Sequence, residues 1–161
     1  MTIELSLVPF NQRLRLKQYL DHYLMEHAQF KEHKKGPLTS SQYIYFSDYW
    51  RGKGRYPYFI VQDGAELGFA LVRAVFDEEE LCHRVSEFYI APEFRRAGAG
   101  KKAVELLWQM HPGRWKLQVL ANNITARVFW ESCCDAFAKE AFSVEEIHSE
   151  DGKRHRFNLE V

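Results

Sequence analysis

Residues 85–107, VSEFYIAPEFRRAGAGKKAVELL, constrain this chain more than any other part of it. A short apolar run (Phe88, Tyr89, Ile90) stops at Pro92 and gives way to Arg95, Arg96 and Ala97. A glycine-alternating turn follows, Gly98-Ala99-Gly100, and then Lys101, Lys102 and a run with the apolar spacing of an amphipathic helix. A strand that ends in a basic glycine turn and opens a helix collects backbone amides around an anion. Glycine lets the main chain come close, and the helix N-terminus adds partial positive charge. With cations on both sides of the turn, the ligand end it suits is a pyrophosphate.

Spacing separates three glycine-loop readings. A Walker A loop needs Gly where Arg95 stands and Ser or Thr where Lys102 stands, so its magnesium-binding hydroxyl is missing. The relaxed dinucleotide fingerprint fits Gly98 to Ala103, but the next strand carries Gln118 and no acid to hold a ribose. The remaining pattern is Arg/Gln-x-x-Gly-x-Gly/Ala, which Arg95, Gly98 and Gly100 meet in full. Further on stands Asn123-Ile124-Thr125-Ala126-Arg127-Val128-Phe129-Trp130, close to an Asn-x-x-Ala-x-x-Phe-Tyr signature. In these two motifs, in this order, the chain resembles the GNAT superfamily of N-acetyltransferases.

The pattern of the whole chain agrees. Strands are predicted near 2–8, 56–61 and 66–76, then from the acidic turn up to Ile90, and near 114–120, 139–147 and 153–160, with helices near 10–28, after the glycine turn, and near 122–135. Asp63-Gly64 signals a hairpin, residues 77–80 an acidic turn, and Asp151-Gly152 the last turn. The order β-α-β-β-β-α-β-α-β-β is that of the superfamily. The resemblance implies an α/β (α+β) fold, with a mixed sheet of about six to seven strands flanked by helices and two splayed strands forming a coenzyme A cleft. At 161 residues the chain reads as a single N-acetyltransferase domain, residues 1–161.

Charge and cysteines narrow the setting. Lys plus Arg balance Asp plus Glu, 22 against 22, so nothing global points to nucleic acid or membrane. No long apolar run or signal-peptide pattern appears. Cys82, Cys133 and Cys134 form neither a disulfide framework nor a metal spacing, and a reducing, cytoplasmic setting is expected, with no metal.

The resemblance implies acetyl-CoA as cofactor and transfer of its acetyl group to a primary amine on a small-molecule or peptide acceptor. A homodimer joined through the last strands is a further implication. The thiol arm would pair with the main chain of Phe88 and Ile90. The pyrophosphate would sit on amides from Arg95 or Arg96 through Ala97, Gly98, Ala99, Gly100 and Lys101. Asn123 would hold the ligand or cap its helix, and Phe129 would flank the arm. A non-catalytic acyl-CoA sensor is the alternative, because Trp130 stands where the family often has an acidic Tyr, and indole is no acid.

Glu87 and a bound water are candidates for the base. Tyr89, with Tyr43, Tyr45 and Tyr49, are candidates for the acid. Strand alternation turns Glu87 away from Phe88 unless a bulge re-aims it. Gln118 stands where some relatives have a strand Glu, and His83 reads as solvated surface. In the irregular segment 31–55, Tyr45, Asp48, Tyr49 and Trp50 read either as a cage for a cationic amine with Asp48 as counter-charge, or as ordinary core. Lys31, Lys34 and Lys35 read as a solvated face.

Overall fold

Alternation along the strands sorts the apolar side chains onto two faces of one sheet. The computed structural model describes residues 2–161. Its strands are β1 (Ile3–Leu7), β2 (Arg55–Gln62), β3 (Ala65–Asp77), β4 (Glu80–Ile90), β5 (Arg114–Leu120), β6 (Ser143–Ser149) and β7 (Gly152–Glu160), in spatial order β1-β2-β3-β4-β5-β7-β6. Neighbours are antiparallel except β4 and β5, which run parallel because the helix α2 (Ala99–Met110) carries the chain back between them. Helix α1 (Arg13–Ala28) lies on one face, and α2 and α3 (Ile124–Phe137) lie on the other.

On the first face Leu16, Leu20 and Leu24 of α1 pack against Phe59, Phe69, Leu71 and Tyr89. On the second, Val104, Leu107 and Trp108 of α2 and Trp130, Cys133 and Cys134 of α3 pack against Tyr58, Val72, Trp115, Leu117 and Phe157. The predicted helix at 10–28 is a 3-10 turn, Phe10–Gln12, followed by α1. The acidic turn is narrower than its sequence, because Glu78 and Glu79 alone make it, both with positive φ. The strand predicted at 139–147 forms later, as β6.

Two predicted surface features are buried. His83 packs against Trp115 and His111, with ring centroids at 5.2 and 4.9 Å, and burial lowers its pKa. Lys31 is buried beside Asp151 of the β6–β7 turn and donates to the carbonyl of Lys35 at 2.6 Å. Arg154, Ser149 and Lys31 together outweigh the burial of Asp151 and hold its carboxyl at about 2. Isolated polar residues carry no sequence signal of the aromatic ring or carboxylate that the fold brings to them.

Three irregularities in the sheet shape the cleft. Ile60 pairs with Gly68 but Val61 with Glu66, leaving Leu67 as an extra residue in β3. Leu71 pairs with Glu87 but Val72 with Val85, leaving Ser86 as an extra residue in β4. Finally, β4 and β5 pair only from Cys82↔Arg114 to Val85↔Leu117 and then diverge. Gly68 stands at the tight point, where a Cβ would lie 1.9 Å from the carbonyl oxygen of Tyr89. Gly68→Ala must therefore push β4 aside. The expected loss is about 1–3 kcal/mol, measured by urea denaturation against wild type.

Candidate functional site

The open edge of β4 is the first element of the site. Ala91 donates its amide to the carbonyl of Leu67 at 2.8 Å, so the main chain of Tyr89 and Ala91 faces β3. Alternation then aims the main-chain groups of Phe88 and Ile90 at the gap where β5 has turned away. On the α3 side of that gap Phe88 lies tilted against Phe129, with centroids at 5.7 Å, and meets Trp130 edge-on at 5.3 Å. Trp130 is buried against Trp108 and forms a wall.

The glycine turn is the second element. Gly98 N-caps α2 with φ of 84°, and Arg96 also takes a left-handed φ of 66°. The first helical bond runs from the Lys102 amide to the Gly98 carbonyl at 3.1 Å, and no described acceptor meets the amides of residues 96–101. Gly100 faces Phe129, whose ring carbon would stand 3.1 Å from an added Cβ. An amide nest, an open strand edge and an aromatic wall fit coenzyme A. Residues 96–101 would hold its pyrophosphate, and the edge at Phe88 and Ile90 would hold its thiol arm.

The basic side chains around the turn divide their work. Arg95 serves as a brace, donating to the Ile90 carbonyl at 2.7 Å and to the Glu26 carboxylate at 2.9 Å, with its guanidinium over the Tyr89 ring. Lys102 pairs with Glu105, and Lys101 donates to the Ser132 hydroxyl at 3.0 Å. Asn123 accepts from the Ala126 amide at 3.1 Å, which makes it the cap of α3.

A second cavity, of about 210 Å³, opens on the α1 face beside the splay. Tyr43, Tyr45 and Tyr49 line one side, and Glu87, Gln118 and a set of arginines line the rest. The bulge at Ser86 decides its chemistry. It brings Glu87 onto the face that carries Arg84, although the two stand three positions apart and would alternate in a regular strand. Burial pushes the Glu87 carboxyl up to about 7, against the opposing influence of the Tyr23 and Tyr43 hydroxyls and of Arg154 and Lys31. The Tyr43 hydroxyl donates to Glu87 at 3.4 Å.

Of the candidate acceptor residues, Tyr45 and Tyr49 line the cavity, whereas Asp48 and Trp50 do not. Trp50 donates to the Val8 carbonyl at 2.9 Å and packs on Phe46. The cation over Tyr45 and Tyr49 is the protein's own Arg55, at 5.6 and 5.4 Å, so their faces are already taken. Tyr89, a candidate acid, lies with Tyr23 and Phe69 under α1 and does not line the cavity. Sequence reasoning missed Arg55, Arg73 and Arg84. Scattered over three strands, they form a group only through strand register.

A parallel strand pair that splays over an amide nest defines a class of fold that takes an acyl-CoA between its strands. The chain matches the family model described as "Acetyltransferase (GNAT) family" over residues 19–135. It therefore belongs to the GNAT family and is an acetyl-CoA-dependent N-acetyltransferase. No curated protein matches it by sequence. Among solved structures it is similar to an acetyltransferase from Thermus thermophilus, at 13% identity and a TM-score of 0.73, covering 100% of this chain and 98% of that one. The aminoglycoside acetyltransferase AAC(6')-Ib, in complex with coenzyme A and kanamycin, gives a TM-score of 0.70 at 16% identity, covering 99% and 95%. The spermidine N-acetyltransferase of Vibrio cholerae, in complex with coenzyme A and spermine, gives 0.66 at 14%, covering 98% and 95%. These likenesses establish the fold. None of the helices among the described residues is long and apolar enough to cross a membrane.

The turn makes one demand that binding can test. Gly98→Val forces a β-branched residue into a left-handed φ at the helix cap, at a strain of about 1–3 kcal/mol, and displaces the nest amides. Calorimetry should show acetyl-CoA affinity reduced about tenfold or more. Unchanged affinity in a folded variant would remove the turn from the binding site.

Proposed function

We propose that the protein transfers the acetyl group of acetyl-CoA to a primary amine that enters from the α1 face, with Glu87 as general base. The observation that carries this reading is a carboxyl, pushed up to about 7 by burial, in a cavity that opens beside the exposed edge of β4. Catalytic bases work best with a pKa close to the operating pH.

Acetyl-CoA supplies an acyl carbon activated by a thiol leaving group. The chain's own groups do the rest. An amine arrives protonated, and the desolvation that raises Glu87 lowers the pKa of an ammonium, so a proton can pass from nitrogen to carboxylate. The freed lone pair forms the new C–N bond as the C–S bond breaks, and the second proton of the nitrogen passes to the departing thiolate, leaving a neutral amide and the free thiol of coenzyme A. The main-chain amide of Ile90 faces the gap and is oriented to donate to the oxygen that becomes negative. Trp130 and Phe129 keep water from that side. Tyr43 orients Glu87 through its hydroxyl.

Because Glu87 must be ionised to act, kcat/KM should rise with pH up to about 7 and level off above it. Glu87→Gln should lower kcat about 10²- to 10⁴-fold and erase that acidic limb, while acetyl-CoA affinity is unchanged. A full rate in the variant would assign the base elsewhere. The same group has a stability signature. A folded-state pKa above the usual carboxylate value means that the native protein loses stability as pH rises between about 4.5 and 7. Thermal melts should therefore show Glu87→Gln more stable than wild type at pH 8 and equal to it near pH 4.

A further inference from the structure

One line of cations crosses the α1 face of the sheet next to Glu87. Arg55 stands opposite Arg73, Arg73 opposite Arg84, and Arg84 opposite Lys116, so four adjacent strands place like charges in register. Like charges directly opposite one another weaken a sheet. Lys116 is relieved by Asp77, and the neighbouring Arg154 and Arg156 by Asp151 and Glu145. Arg55 lies over two tyrosine rings. Arg73 and Arg84 have no such relief. Neither forms an ion pair with a described residue, and the Nε of each is buried without a hydrogen-bond partner. Both line the cavity, where Glu87 is the single carboxylate among the described residues. A sheet that keeps two half-buried guanidiniums facing each other, each with its buried Nε donor unused, is suited to an anion that joins them.

Resting on the acetyl transfer proposed above, we infer that the amine acceptor is a compact molecule carrying its own oxyanion, which Arg73 and Arg84 bind while Glu87 receives the amine. Glu87 pairs with Leu71, and Arg73 lies two residues along the same strand, a step of about 7 Å. A hydrogen bond from the amine at one end and a guanidinium fork at the other fit within one small molecule. The cavity, at about 210 Å³, is smaller than the roughly 300–1,000 Å³ typical of drug-sized ligands. Guanidinium matches carboxylate and phosphate alike, so an amino acid and an amino-alcohol phosphate present the same recognisable end. A polyamine would bring further positive charge to a surface that already repels itself.

The test uses matched acceptors with saturating acetyl-CoA, following thiol release. An amino acid is compared with its carboxamide, aminoethyl phosphate with ethanolamine, and spermine serves as the polycation. The anion-bearing member of at least one pair should exceed its neutral partner about 10- to 100-fold in kcat/KM, and which pair does so names the oxyanion. Arg73→Gln and Arg84→Gln, made separately, should erase that preference through KM with kcat retained, while Arg73→Lys keeps part of it. In a binding readout without turnover, inorganic phosphate should raise the Tm of the acetyl-CoA-saturated wild type and not that of either Gln variant. Faster turnover of the carboxamide, ethanolamine or spermine would overturn this inference and leave acetyl transfer standing. Equal phosphate shifts in all variants would also overturn it. Acetyl-CoA binding with no turnover of any amine would overturn both readings.

Discussion

The site depends on the point where β4 and β5 stop pairing. Up to Val85 and Leu117 the two strands satisfy each other; beyond it, the main chain of Phe88 and the amide of Ile90 face a gap, while the Ile90 carbonyl is held by Arg95. Backbone donors and acceptors inside a protein demand partners, so an unzipped parallel pair beside a packed core offers an extended ligand free main-chain groups. The rest of the structure maintains that opening. The bulge at Ser86 bends β4 just past the last pair, Gly68 allows the Tyr89 carbonyl to pass close to β3, and Arg95 ties the end of the strand to Glu26 of α1. Meanwhile β5 continues to pair with β7, through Gln118↔Arg156 and Leu120↔Arg154, and so cannot follow β4.

The two sides of the opening differ in how their charges are matched. On the side of the glycine turn, Arg95, Lys101 and Lys102 are each engaged by neighbouring side chains, and the unused donors are backbone amides. On the α1 side the reverse holds, since the backbone is paired and side-chain guanidiniums are left over. The first arrangement suits a ligand end held by shape and dipole, the second an end held by charge. Glu87 stands between them, kept near neutrality by burial although cations surround it. A carboxyl in that position stays out of a permanent ion pair with an arginine.

Much of the fold was legible in the sequence because its signals are local. The Asp63-Gly64 turn, the leucines of α1 and the Arg95-to-Gly100 turn each depend on neighbours within a few residues, and each element stands where its pattern put it. The less legible features depend on partners distant in the chain. His83 is buried because Trp115 and His111 close over it, and Lys31 because Asp151 reaches it from the last hairpin. A single extra residue at Ser86 sets Glu87 on the same face as Arg84, and nothing in the string VSEFYI marks which residue bulges.

The sequence by itself determined the family, the glycine turn and the order of elements, since strand, glycine turn and capped helix are written in contiguous residues. Tertiary structure alone decided the charge of the cavity on the α1 face. Arg55, Arg73, Arg84 and Lys116 lie far apart in the chain, and only strand register sets them side by side. The electrostatics of a cavity is a property of distances between strands, which a linear pattern does not contain.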